Sequence, residues 1–287
     1  MGPVASSART IGDVVALVLA RGLGRRMREE AAGASGLSSE QAEVAATGQK
    51  GLIPIAAGGR PGRPFLDYLL SDIADAGITS TGLVIGPEHD ALRRQYSDEQ
   101  APSRIRVSFV IQPEPLGTAN AVLAAEEFVG GRPFLSLNSD NLYPVESMRA
   151  LAALDGPGVA AFERQDLIES SGIPPDRFAS FSLIDVDDNG RLLDIREKPG
   201  RDAVDAAGPH ALVSMNEWRF DARIFEACRD VPRSARGEFE LPEAVRLAVR
   251  RGVPFHVVRC RGPVLDLSRR EDVPNVTRHL AHRDVRL

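Results

Sequence analysis

Three loop sequences in this chain have the residue types to handle phosphate groups. An apolar run from Val14 to Ala20 breaks abruptly into Arg21-Gly22-Leu23-Gly24-Arg25-Arg26. Glycines allow a sharp turn that exposes backbone N–H groups. The guanidinium is the side chain best shaped to grip phosphate oxygens. Taken alone, the stretch fits a structural turn as well as a phosphate loop, because a Gly-x-Gly pair is weakly informative. Two further apolar runs end in polar tips: 105–112 closes on Gln112 and leads to Gly117-Thr118, and 133–138 leads to Ser139-Asp140-Asn141.

These tips matter only if the chain brings them to one edge of a sheet. Val14 to Ala20 is rich in valine and leucine, as expected of a central strand buried on both faces. Phe65, Leu66, Leu69, Leu70 and Ile73 recur at helical spacing, with Pro64 suited to the first turn and Gly77 to the stop. Strands are expected over 81–86, 105–112 and 133–138, and helices over 88–96 and 118–128. That alternation predicts an α/β fold, a mostly parallel central sheet with helices on both faces. Ligands bind such sheets beyond the carboxyl ends of the strands, so the polar tips should converge.

The second half has another rhythm. Segments 181–187 and 191–197 flank Asp188-Asn189-Gly190, a hairpin signal. Strands are expected over 211–220 and 255–261, helices over 239–251 and 271–280. The segment from Arg28 to Gln49, rich in Ala, Gly, Ser and Glu, reads as a mobile loop placed like a lid. Residues 1–12 read as a disordered leader. Residues 13–287 read as one domain, with halves over about 13–145 and 146–287, the second inserting antiparallel strands that wall off a site.

Composition narrows the function classes. Hydrophobic residues make up 43% of the 287, enough for a large core. A net charge of −5 argues against a general nucleic-acid or membrane-surface binder. Cys228 and Cys260 form neither a metal-ligand spacing nor a disulfide framework, and a reducing, cytoplasmic setting is expected. Apolar runs fall far short of the roughly 20 residues that span a bilayer. Asp13 and the basic stretch from Arg21 to Arg28 argue against a signal peptide. A dinucleotide-binding fingerprint needs a third glycine where Met27 stands. Gly-x-x-x-x-Gly-Lys-Ser/Thr and Gly-x-Ser-x-Gly are both absent.

An ordered set of motifs remains: Leu19-Ala20-x-Gly22-x-Gly24-x-Arg26-Met27, Lys50 before Leu52-Ile53-Pro54-Ile55, Gln112-Pro-x-Pro-Leu-Gly117-Thr118-Ala119, Asp140-Asn141, Glu197-Lys198-Pro199 and Asp266. Together they resemble the sugar-1-phosphate nucleotidyltransferases, most of all the glucose-1-phosphate thymidylyl- and uridylyltransferases. Ser234-Ala235-Arg236-Gly237-Glu238-Phe239-Glu240 is similar to a stretch of the thymidylyl members. The resemblance implies a Rossmann-like sheet of the nucleotide-diphospho-sugar transferase type and a reaction between an NTP and a sugar-1-phosphate. By that likeness Leu19, Ala20, Gly22, Gly24, Gln112, Gly117 and Thr118 would hold the nucleotide. Arg26 and Lys50 would serve the reacting phosphates, and Asp140 and Asp266 would bind Mg²⁺. Glu197, Lys198, Asn216 and Arg236 would hold the sugar phosphate.

A pyrimidine nucleotide, UTP or dTTP, is favoured because Gln112 can meet a pyrimidine edge. GTP with mannose-1-phosphate, CTP with phosphocholine, and an inactive nucleotide-sugar-binding regulator are the alternatives. Nucleic acid and membrane are not expected as partners, and self-association is left open. Three departures stand out: Arg21 occupies a position usually held by a small residue, the interval from Arg26 to Lys50 is long, and Ala179 replaces a glycine.

Overall fold

The computed structural model describes residues 13–29, 36–56, 62–97 and 102–287. The leader expected over 1–12 lies outside these residues. The first strand, β1 (Val15–Leu19), alternates between two cores: Ala16 and Val18 join the cluster on one face of the sheet, Val15 and Leu17 the cluster on the other. Burial on both faces is why the strand shows no polar alternation. Its continuation is the short helix α1 (Arg25–Arg28), then α2 (Ser39–Thr47), then a small ribbon of β2 (Pro54–Ile55) and β3 (Arg63–Pro64). Helix α3 (Phe65–Asp75) follows, and every apolar position expected to face the core is fully buried.

The classical α/β alternation continues through β4 (Ser80–Ile85), α4 (Asp90–Gln95), β5 (Arg106–Ile111), α5 (Thr118–Ala124), α6 (Glu126–Val129) and β6 (Phe134–Asn138). These strands form a parallel block in the order β6-β1-β4-β5. The chain builds outward from β1 through β4 to β5, then crosses back to place β6 on the other side. That reversal leaves a crevice between the loops after β1 and β6, the topological switch point where open sheets bind ligands.

The second half extends the sheet with antiparallel pairings. It comprises β7 (Asn141–Leu142), α7 (Val145–Ala152), β8 (Gly158–Glu163), α8 (Arg164–Ser171), β9 (Ser182–Val186), β10 (Leu192–Glu197), α9 (Arg201–Ala207), β11 (Leu212–Phe220), α10 (Arg223–Asp230), α11 (Leu241–Arg250), β12 (His256–Cys260), β13 (Leu265–Asp266) and α12 (Val273–Leu280). Strand β11 runs antiparallel to β6, β8 and β9, and the expected hairpin is β9 with β10. The β8 run, Gly-Val-Ala-Ala-Phe-Glu, is too short and too alanine-rich to carry a strand signal. Among the described residues no helix is long and apolar enough to cross a membrane.

The expected loop over 28–49 is corrected over 39–47, where the chain forms α2; residues 30–35 of it lie outside the described residues. Ser38 and Gln41 make a reciprocal capping box, with Gln41 N donating to Ser38 Oγ and Ser38 N donating to Gln41 Oε1. Gly48 ends the helix in the left-handed region. Ser-x-x-Gln is a legible helix-start signal. The Ala- and Glu-rich composition obscured it by offering only a thin apolar stripe, in which Ala45 is buried.

Candidate active site

A cleft of about 710 Å³ opens at the switch point. Leu19, Ala20, Gly22, Gly24 and Arg26 line it from the β1 loop, Lys50 from the turn after α2, and Asp140 from the β6 loop. Gln112, Gly117 and Thr118 line it from the β5 side, and Arg236 reaches it from the segment before α11. Residues from five separate stretches of the chain therefore line one cleft. Asp266, Glu197, Lys198 and Asn216 stand outside the lining.

The glycines have separate reasons. A Cβ on Gly22 would meet nothing within 4 Å, so its absence leaves the cleft floor bare for a ligand. Gly24 has φ +57 and abuts Gly48, whose carbonyl oxygen lies 2.3 Å from where a Cβ would stand. Only glycine combines that conformation with that approach. The contact joins the glycine loop after β1 to the end of α2, two residues before Lys50. Arg28 reinforces it by donating to Thr47 O from Nε at 3.1 Å and from the terminal nitrogen at 2.8 Å. The end of the long interval is thus a helix, α2, braced against the β1 loop just before Lys50. Met27 is buried while Arg25 and Arg26 are exposed, and neither arginine side chain bonds another described residue.

Lys50 Nζ lies 2.7 Å from Asp140 Oδ2. Asp140 also bridges to the last strand: Leu267 N donates to Asp140 O at 2.8 Å, and Asp266 pairs with Asn141 in the β13–β7 ribbon. Asp266 accepts from Arg177 at 2.5 Å and from Ser268 Oγ at 2.6 Å. Burial, reinforced by the Asp140 charge, pushes its carboxyl up, against the pull of Arg177. Two neighbouring carboxylates, each with a cation already attached, suit a hard divalent ion that takes few protein oxygens and completes its shell with phosphate and water. Arg177 also contacts Asp272 at 3.0 Å and sits in the 3-10 turn Pro175–Ser180 that contains Ala179.

The remaining candidates form a charged chain leading away from the cleft. Arg236 lies 2.8 Å from Glu240, Lys198 lies 3.8 Å from Glu240, and Lys198 lies 3.0 Å from Glu197. Burial would raise the Glu240 carboxyl, but hydrogen bonds from Arg236 and Ser234, with the Lys198 charge, hold it below the usual carboxylate range. Glu240 is the member that residue roles did not single out, although it closes the Ser234–Glu240 stretch. Among the described residues the only non-glycine residues with positive φ are Lys198 at 47° and Asn216 at 59°. Such strain gathers at functional positions. Asn216 sits on a bulge of β11, where the register with β8 slips between Ser214 and Trp218. Tyr143 ties the bulge to the cleft: its hydroxyl donates to Met215 O at 3.0 Å and accepts from N of the cleft residue Asn138 at 3.2 Å. Thr118 has a structural duty as well, since its hydroxyl accepts from Leu241 N at the start of α11.

A cationic, glycine-floored cleft at a parallel-sheet switch point, with adjoining carboxylates, is the make-up of an α/β protein with a site for anionic ligands. The chain belongs to the nucleotidyl transferase family, whose model matches residues 44–262. It is similar to a glucose-1-phosphate thymidylyltransferase of Streptomyces antibioticus, 30% identical over 92% of this chain and 65% of that one. It is also similar to a low-salt glycan biosynthesis nucleotidyltransferase of Haloferax volcanii, 27% identical over 83% of this chain and 62% of that one. The chain thus spans a little under two thirds of the length of these relatives. A UDP-glucose pyrophosphorylase complexed with UDP-glucose shares the fold, with TM-score 0.72, 18% identity, and coverage of 94% of this chain and 99% of that one.

Proposed function

We propose that this protein is a Mg²⁺-dependent nucleotidyltransferase that forms an NDP-sugar and pyrophosphate from an NTP, UTP or dTTP favoured, and a sugar-1-phosphate. The observation that carries the reading is the meeting of Arg26, Lys50 and Asp140 around one bare-floored cleft. A sugar-phosphate oxygen attacks the α-phosphorus of the NTP, and the bond to the pyrophosphate oxygen breaks in line. Such a transfer asks the protein chiefly to hold two anions together and to neutralise their charge.

Each residue then has a task. Backbone N–H groups around Gly22 and Gly24 hold the triphosphate, and Arg26 balances the charge that develops on the departing pyrophosphate. Lys50, resting on Asp140, neutralises the α-phosphate as the attack proceeds. Mg²⁺ held by Asp140 and Asp266 would supply positive charge to the phosphate oxygens and fix their orientation. Gln112 and Gly117 read the base, with Leu19, Ala20 and Thr118 around it. Arg236 and Lys198 hold the sugar phosphate, while Glu197 and Asn216 take sugar hydroxyls. The nucleotide belongs to residues 13–145 and the sugar to 146–287.

Pyrophosphate release from a panel of NTPs with pooled sugar-1-phosphates tests the reaction. Release with UTP or dTTP is expected. No release from any pair, despite nucleotide-induced thermal stabilisation, would make the protein a binding homologue. Asp140→Asn should abolish turnover while the melting temperature stays near wild type. Retained Mg²⁺-dependent turnover in that variant would remove Asp140 from the metal site.

A further inference from the structure

Arg21 is the departure whose direction the sequence leaves open. Its side chain reaches across to the loops that follow β4 and β5. One terminal nitrogen donates to the main-chain oxygen of Gln112, and the other lies 3.3 and 3.4 Å from the two carboxylate oxygens of Glu88. The residue is 8% exposed and lines the cleft, and its Nε is buried without a partner. A guanidinium carries five N–H donors. These partners leave part of the set unused beside the residue proposed to read the base.

Gln112 itself has only one polar end to offer. Its Nε2 donates to Gly117 O at 3.1 Å and to Asn120 Oδ1 at 2.8 Å. A backbone carbonyl can only accept, so the amide nitrogen must be the atom facing Gly117. A flipped amide would set two acceptors against each other. Gln112 Oε1 therefore remains as an acceptor, and no other described residue donates to it. The cleft lining thus carries an acceptor from the Gln112 side chain and, from Arg21 bonded to the same residue's main chain, terminal N–H donors beyond those its partners use. The complement of that pair is a ring N–H beside a ring carbonyl.

We propose that Arg21 is a base-selecting residue, donating to the carbonyl oxygen that flanks the ring N–H accepted by Gln112 Oε1. This rests on the nucleotidyl-transfer reading and deepens it. Uracil, thymine and guanine present such an edge. Cytosine and adenine present a bare ring nitrogen, which sets acceptor against acceptor at Gln112 Oε1, and cytosine also replaces the C4 carbonyl by an amino group while keeping the C2 carbonyl. Glu88 has a part in this: it holds the guanidinium on the base side and offsets its charge, so Arg21 reads the base rather than joining the triphosphate arginines.

The test compares kcat/KM for UTP, CTP, 2-thio-UTP and 4-thio-UTP, with direct binding measured by calorimetry. Sulfur is a weak acceptor, so each thio analogue weakens one carbonyl. Wild type should prefer UTP to CTP by about a hundredfold. One of the two thio analogues should cost about tenfold in kcat/KM. Arg21→Met should use that analogue as efficiently as UTP, with an unchanged circular-dichroism spectrum, and where the sensitive analogue is 4-thio-UTP it should also narrow the UTP/CTP ratio. A thio penalty that persists undiminished in Arg21→Met would make Arg21 a clasp between loops and overturn the proposal. Should Arg21→Met not fold, wild type alone decides: equal use of UTP and both thio analogues overturns it. Failure of every triphosphate to release pyrophosphate would instead overturn the reaction, while the calorimetric comparison of UTP with its thio analogues would still read Arg21.

Discussion

Glu217 sits on the β11 bulge beside Asn216, and replacing it with glutamine should make the protein markedly less sensitive to alkaline pH. The side chain is fully buried, and Ser147 Oγ lies 2.8 Å from each of its carboxylate oxygens. Ser147 also donates to Pro144 O at 2.7 Å. A hydroxyl has one proton to give. The three groups are satisfied together only when Glu217 is protonated and donates to Ser147, which passes its own proton to Pro144 O. Burial accordingly pushes the Glu217 carboxyl from 4.5 up to about 8. Between those values the native state keeps a proton that the unfolded chain has released. Stability is therefore whole below that window and falls as pH rises through it. The slope is about 1.4 kcal/mol per pH unit for one group. Between pH 6 and pH 8 the wild type should lose on the order of 2 kcal/mol that Glu217→Gln does not lose. Urea unfolding of both proteins across pH 5–9 measures the difference. Other raised groups, such as Asp72 at about 7, are common to both proteins and cancel. The amide leaves one N–H without a partner, which adds a constant offset of about 1–3 kcal/mol and no pH dependence. Parallel stability profiles for the two proteins would refute the neutral-acid account.

Lys50→Met should lower kcat by about a hundredfold or more while nucleotide affinity changes little, because its charge is needed at the transition state; steady-state kinetics with calorimetry decides, and an unchanged kcat would remove Lys50 from the chemistry. Gly24→Ala should cost both activity and several degrees of melting temperature, since the methyl group would stand 2.3 Å from Gly48 O and the residue would keep φ +57; a wild-type melting curve and rate would show the Gly24–Gly48 contact to be dispensable. Ser38→Ala removes the capping box of α2 and should cost about 1 kcal/mol in urea unfolding, with no measurable loss as the contrary result.

Local pattern carried much of the first half. The apolar run of β1, the helical spacing in α3 and the polar tips after β1, β5 and β6 each depend on neighbours a few residues apart, and each appears where the sequence predicts it. The amphipathic helix α10, with Ile224, Phe225, Ala227 and Cys228 buried, was also legible in principle, as was the Ser38–Gln41 capping box. By contrast, the pairings among the candidate site residues join positions far apart in the chain, and only topology sets them. Lys50 and Asp140 are 90 residues apart, Arg21 and Gln112 are 91, and Arg177 and Asp266 are 89. No periodicity encodes which cation meets which carboxylate.

The glycine loop after β1 shows the division most plainly. Its sequence determined a sharp glycine turn and a local concentration of arginines, because backbone freedom and side-chain chemistry are properties of the residues themselves. Tertiary structure decided that Arg21 leaves the other arginines for the loops after β4 and β5. It also decided that Gly24 meets Gly48, and that Lys198 and Asn216 are held at positive φ. Those outcomes depend on which loops the sheet order brings together and on packing firm enough to hold a strained backbone, and neither is written in any short stretch of chain.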